Sequence, residues 1–146
     1  MKILLLATRH PYGRQSGRKA VLRTIVRSCL DLGHEVQVLA ITDEEGGSGD
    51  APVERLAPPG LIRTGVNILS RATTGRLSLN ECLYVSPTIR RSVAAACAAW
   101  PADLVVADML RTSSLALGTG LPAIVDLDDL LSRRYKELAD GRAESA

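Results

Sequence analysis

The 146-residue chain predicts an α/β fold, a parallel sheet with helices on both faces. Strand-like apolar runs alternate with helical patterns along its length. The first run, Lys2 to Thr8, is almost continuously apolar, the mark of a strand buried on both faces. A strand–helix–strand unit then closes within about forty residues, the length of a right-handed parallel crossover.

The elements follow in order. From Arg18 to Leu32, apolar residues at Val21, Leu22, Ile25, Val26, Cys29, Leu30 and Leu32 keep helical spacing. Ser16 stands in the N-cap region and Gly33 stops the helix. "HEVQVLAI" gives a second strand, Glu35 to Ile41. "TDEEGGSGDAP" has no apolar anchor and reads as a surface loop of mobile composition. "PVERLAP" is a short edge strand bracketed by Pro52 and Pro58.

Leu61 to Thr73 predicts a helix with a basic face carrying Arg63 and Arg71. Its apolar residues, Leu61, Ile62, Val66, Ile68 and Leu69, read as no clean stripe: Ile62 and Val66 align, with Ile68 roughly opposite Ile62. "TTGRLSLNECLYVS" has no readable pattern. Pro87 to Trp100 is an Ala-rich helix with Pro87 in its first turn and Ser86 as cap. Asp103 to Ala107 gives a strand, Leu110 to Leu117 a short helix, Ala123 to Leu127 a strand, and Leu130 to Leu138 the start of a final helix.

Composition narrows the function. Hydrophobic residues make up 46% and charged residues 23%, enough for one domain with a real core. With 3% aromatics and no Phe, that core must be Leu, Val, Ile and Ala. A net charge of +2 gives no case for nucleic acid. Cys29, Cys82 and Cys97 form neither a CxxC nor a Cys/His cluster, which argues against zinc and for buried thiols in a reducing cytoplasm. The apolar core Ile3 to Ala7 is shorter than the roughly 7–15 residues of a signal peptide. No run approaches the roughly 20 apolar residues of a membrane span.

In a doubly wound sheet, ligands sit outside the carboxyl ends of the strands, where strand order reverses. The loops Arg9 to Gly17 and Asp108 to Ser114 are then expected to face each other. Gly13 and Gly17 permit close backbone approach, and the helix beginning near Arg18 points its amino end at the crevice. Arg9, Arg14, Arg18 and Lys19 add charge suited to an anion; the alternative is a solvated turn. "GRQSGR" is neither GxGxxG nor a Walker loop, which disfavours an ordinary dinucleotide or ATP site. "DLDD", Asp126 to Asp129, offers carboxylates to a metal, against which stands the plainer role of Asp128 or Asp129 as a helix cap. His34 lies in a helix-to-strand turn. His10 lies in the crevice loop, and no nucleophile with a paired acid accompanies it.

Four stretches read together resemble GT-B glycosyltransferases of family four: "MKILLLATRHPYGRQSG", "LGHEVQVLAI", "PADLVVADM" and "GLPAIVDLDDLLSRRY". The resemblance covers most of Met1 to Tyr135 and is weakest from Asp43 to Ser86. It implies a Rossmann-like three-layer sandwich, the acceptor-side half of a two-domain enzyme. The donor-side half, with its E-x7-E motif, is not among these residues, so the chain is expected to be an amino-terminal domain, inactive alone, from surface polysaccharide or glycoconjugate synthesis. By the same likeness Gly13 and Gly17 approach the donor phosphates and the transferred sugar, and His10, Ser16, Arg18 and Arg111, in the two facing loops, are further substrate-binding candidates. Asp108 stands where members often carry His and is the catalytic candidate. "SGR" replaces the Gly-Gly pair of many members. No cofactor and no metal is implied. The partners implied are a nucleotide-sugar donor held by the other domain and a sugar or lipid-linked acceptor.

The basic segment Gly60 to Arg76 adds an expectation of peripheral contact with the inner face of the membrane, the alternative being a helix packed on the sheet with its arginines in water. A non-catalytic α/β binding or regulatory domain is the competing reading of the whole chain. Response-regulator receivers share the topology but carry an acidic pair where Arg9 and His10 stand. A third reading, a small anion-binding enzyme complete in itself, lacks a recognisable nucleophile–base set.

Overall fold

A computed structural model describes residues 1–14, 16–75 and 78–127. In chain order the elements are β1 (Lys2–Ala7), α1 (Gly17–Asp31), β2 (Glu35–Ile41), β3 (Val53–Leu56), α2 (Leu61–Thr74), α3 (Pro87–Ala99), β4 (Leu104–Ala107), α4 (Ser113–Leu117) and β5 (Ala123–Val125). Short 3₁₀ turns cover Glu81–Leu83 and Leu110–Thr112.

All strand pairs are parallel, in the order β3-β2-β1-β4-β5. Strand order thus reverses at β1, which pairs with β2 on one side and β4 on the other. The result is a Rossmann-like three-layer α/β sandwich.

The apolar run of β1 supplies both cores because its side chains alternate between faces. Leu4 and Leu6 join Leu39, Val105, Ile89, Val93 and Leu115, beneath α3 and α4. Ile3, Leu5 and Ala7 join Leu22, Val26, Val36 and Val38, beneath α1. α1 ends as the sequence predicts. Gly33 takes φ +78°, the His34 amide donates to Cys29 O at 3.0 Å, and the Gly33 amide donates to Leu30 O at 2.9 Å. At the start of α3, Ser86 Oγ accepts the Ile89 amide at 3.1 Å.

Three expectations change. The predicted helix from Leu110 to Leu117 is a 3₁₀ turn followed by five helical residues. The last strand stops at Val125, although the Asp126 amide still donates to Ala107 O of β4 at 2.9 Å. The acidic loop after β2 is exposed from Asp43 to Asp50, the surface loop expected, and a side chain at Gly46 or Gly49 would run into the rings of His10 and Tyr12.

The third concerns α2, where the alternative of apolar residues packed on the sheet does not hold. Among its described side chains the buried one is Asn67, whose Nδ2 donates to Cys82 O at 3.0 Å and Val85 O at 2.7 Å. The five apolar side chains face solvent. The helix expected from Leu130, with Asp128 and Asp129, lies outside the described residues. Among the described residues no helix is long and apolar enough to cross a membrane.

Leu6 is fully buried at the centre of this arrangement. Leu6→Ala is expected to destabilise the domain by about 3 kcal/mol in urea denaturation. A loss below about 1 kcal/mol would mean that β1 is not the central strand.

Candidate functional site

The loops after β1 and β4 lie side by side at the carboxyl edge of the sheet, as the switch-point rule requires. The Asp108 amide donates to Leu6 O at 2.8 Å, and Thr112 Oγ1 lies 3.4 Å from the same oxygen. Across this seam reaches Arg18, in the first turn of α1. Its Nε donates to Asp108 Oδ1 at 2.7 Å, and its Nη2 also contacts that oxygen. Nη2 donates to Asp126 Oδ2 at 2.6 Å. One guanidinium therefore joins the ends of β1, β4 and β5.

The electrostatics follow from burial. Asp108 is 1% exposed, and its second oxygen, Oδ2, is buried without a hydrogen bond. Burial pushes its carboxyl above the ordinary aspartate value, against the pull of Arg18 and with a further push from Asp126. For Arg18, burial disfavours the charge, but the two carboxylates more than offset it and hold the guanidinium above its ordinary value.

The neighbouring cations are engaged too. Lys19 Nζ lies 2.8 Å from Glu44 Oε2, and Arg9 lies 3.8 Å from Glu44 Oε1. The loop expected to receive an anion by formal charge is thus largely neutralised from within. Arg14 stays exposed at its tip.

The other candidates divide. Gly13 has φ +136°, a conformation that favours glycine. A Cβ at Gly17 would meet nothing within 4 Å, so no packing explains glycine there and room is left before the first turn of α1. Ser16 is the N-cap by position, but its hydroxyl makes no capping bond. His10 is buried beneath Gly46, with Nδ1 2.8 Å from the Tyr12 carbonyl oxygen and 3.2 Å from the Tyr12 amide. It borders a cavity of about 840 Å³ formed with Glu45–Val53 and Arg55. Arg111 lies over the Tyr84 ring, 5.7 Å from its centroid. Tyr84 lines a cavity of about 400 Å³ with Thr8, Arg9, Thr42 and Pro58, at the carboxyl ends of β1 and β2.

Three features escape a reading of the sequence. Asp126 belongs to the crevice, which the switch-point rule applied to the fifth strand would have found. Glu81 is buried in the segment without pattern. Its Oε2 accepts the Ser78 amide at 2.8 Å, and its Oε1 accepts the Ser114 amide at 3.1 Å and Ser113 Oγ at 3.2 Å. Burial alone would raise this carboxyl, but these bonds hold it below the ordinary glutamate value and fix the start of α4. Met109, directly after Asp108, has φ +67° and ψ +169°, a region that costs a non-glycine residue about 1–3 kcal/mol.

No protein-family model matches the chain. A comparison with curated proteins gives no significant match.

Replacing Arg18 with Met would leave Asp108 buried with its counter-charge gone. Arg18→Met is expected to cost about 3–5 kcal/mol at neutral pH. The loss should shrink toward about pH 4. An acid whose folded pKa is raised binds its proton more tightly in the folded state. Stability therefore falls as pH rises from the unfolded aspartate value through the raised one. Urea denaturation across pH measures this, and a loss independent of pH would contradict it.

Proposed function

We propose that this chain is the acceptor-binding, amino-terminal domain of a nucleotide-sugar-dependent glycosyltransferase, working in the cytoplasm in surface polysaccharide or glycoconjugate synthesis. The observation that carries the reading is the cluster of Arg18 with the two carboxylates of Asp108 and Asp126 at the switch point, beside the open first turn at Gly17. A phosphate would compete with two carboxylates for Arg18. A sugar would not, because its hydroxyls donate to carboxylates and accept from guanidinium N–H groups. The resemblance of the four sequence stretches points the same way.

The roles follow from exposure. Asp126 and Arg18 are partly exposed and meet the hydroxyls. Asp108 is too buried to touch a ligand in this arrangement and is a positioning residue that aims Arg18. Gly17 keeps the first turn clear, and the cavity beside Tyr84 extends the acceptor side. The diphosphate of the donor is held by the other half of the cleft.

A non-catalytic α/β binding domain is the second reading. The burial of Asp108 favours it, since that leaves the crevice without an accessible base at this position.

Amide NMR titration of the chain with saccharides separates the two. Shifts are expected at Gly13, Gly17, Arg18 and the residues around Asp126, and they should vanish in Arg18→Lys, which keeps the charge but not the fork geometry. The chain alone should transfer no sugar and bind nucleotide sugars weakly. Micromolar affinity for a uridine or guanosine diphosphate sugar by calorimetry would overturn the proposal. Silence of these amides toward every saccharide would favour the non-catalytic domain.

A further inference from the structure

We infer that the outward face of α2 docks this domain on an anionic bilayer. The inference rests on that helix alone and stands apart from the sugar-binding reading. At about 100° per residue, Ile68, Leu61, Leu69, Ile62 and Val66 follow one another around an arc of about 160°. Ile68 thus sits at the border of one continuous face, about 120° from Ile62, which corrects the expectation of no clean stripe. The five are 43%, 92%, 72%, 88% and 50% exposed, in that order. A helix of a water-soluble domain turns such a face inward.

The orientation is specified by what lies beneath. Asn67, at the back of the helix, satisfies the carbonyl oxygens of Cys82 and Val85. Turning the helix over would strip both carbonyls and carry the arginines of the polar side toward the domain. The exposed apolar face is therefore a fixed feature of the fold.

Charge selects the occupant. From Arg55 to Asn80 the sequence holds Arg55, Arg63, Arg71 and Arg76 and no Asp or Glu, in a chain with 16 acidic residues. Arg63 and Arg71 are exposed, and each lies about 60° beyond one border of the apolar arc. Arginines flanking an apolar stripe on both sides can rest it in the acyl boundary while their heads stay among lipid phosphates. A second copy seated on the same face would bring more cations and no acid to meet them. The helix is 14 residues long, about 21 Å, and lies in the bilayer plane.

Vesicle co-sedimentation of the full chain, with no nucleotide sugar present, tests this. The chain should bind phosphatidylcholine vesicles containing phosphatidylglycerol, bind pure phosphatidylcholine less, and release in high salt. Arg63→Ala and Arg71→Ala should each weaken binding about fivefold. Ile62→Ser with Leu69→Ser should weaken it by at least about tenfold. These side chains are exposed, so thermal melts should hardly change.

Where a variant fails to fold, amide exchange of the parent chain decides: vesicles should slow exchange across residues 61–71. No binding to either vesicle, equal sedimentation of parent and variants, or unaltered exchange would overturn the proposal. So would a dimer in sedimentation velocity that Leu69→Ser dissolves while vesicles stay unbound. Saccharide titration is unaffected by any of these outcomes, so failure here and failure of the sugar-binding reading are distinguishable.

Discussion

The guanidinium of Arg18 lies between two carboxylates that reach it from strands distant in sequence. Asp108 follows β4 and Asp126 follows β5, while Arg18 itself opens the helix after β1. A carboxylate as buried as Asp108 is tolerated because that cation is beside it. Asp108 is anchored in turn to β1, whose Leu6 carbonyl accepts its amide. Directly after Asp108 the chain turns through the strained backbone of Met109 into the 3₁₀ turn that leads into α4. The crevice is consequently polar, close to neutral, and open before the first turn of α1.

Much of this scaffold was legible in the residues. The unbroken apolar run of β1 announces a strand covered on both faces, and Pro52 and Pro58 place β3 at an edge. Gly33 marks the end of α1 because the left-handed turn there favours glycine. What stayed hidden depends on contacts between distant positions. Asp126 reads as the end of a strand or part of a carboxylate cluster until the partner 108 residues earlier comes into view. Formal charge counted along Arg9 to Lys19 suggests an anion site, but Glu44, Asp108 and Asp126 arrive from three other segments to neutralise it. The five apolar residues of α2 read as no clean stripe, and although they share one arc of the helix, periodicity cannot say which way that arc points. That is decided by Asn67 and two carbonyls in the stretch that showed no pattern, where Glu81 is also buried.

The two proposed surfaces are linked by position. α2 begins three residues after Pro58, which lines the cavity beside Tyr84 at the same carboxyl edge as the crevice. On the proposed reading, a domain resting on α2 holds that edge near the bilayer surface, where a lipid-linked acceptor presents its sugar. The fold by itself implies neither activity nor substrate. The functional reading is carried by the crevice and by the four sequence stretches.

The clasp between Arg18 and Asp108 is the claim on which the crevice stands, and a double-mutant cycle measures it most directly. Arg18→Met, Asp108→Asn and the pair together are compared by urea denaturation at neutral pH. A coupling energy of about 2 kcal/mol or more is predicted, with the pair less damaging than the sum of the single changes. A coupling within about 0.5 kcal/mol of zero would contradict the account, because the two side chains would then be independent surface groups.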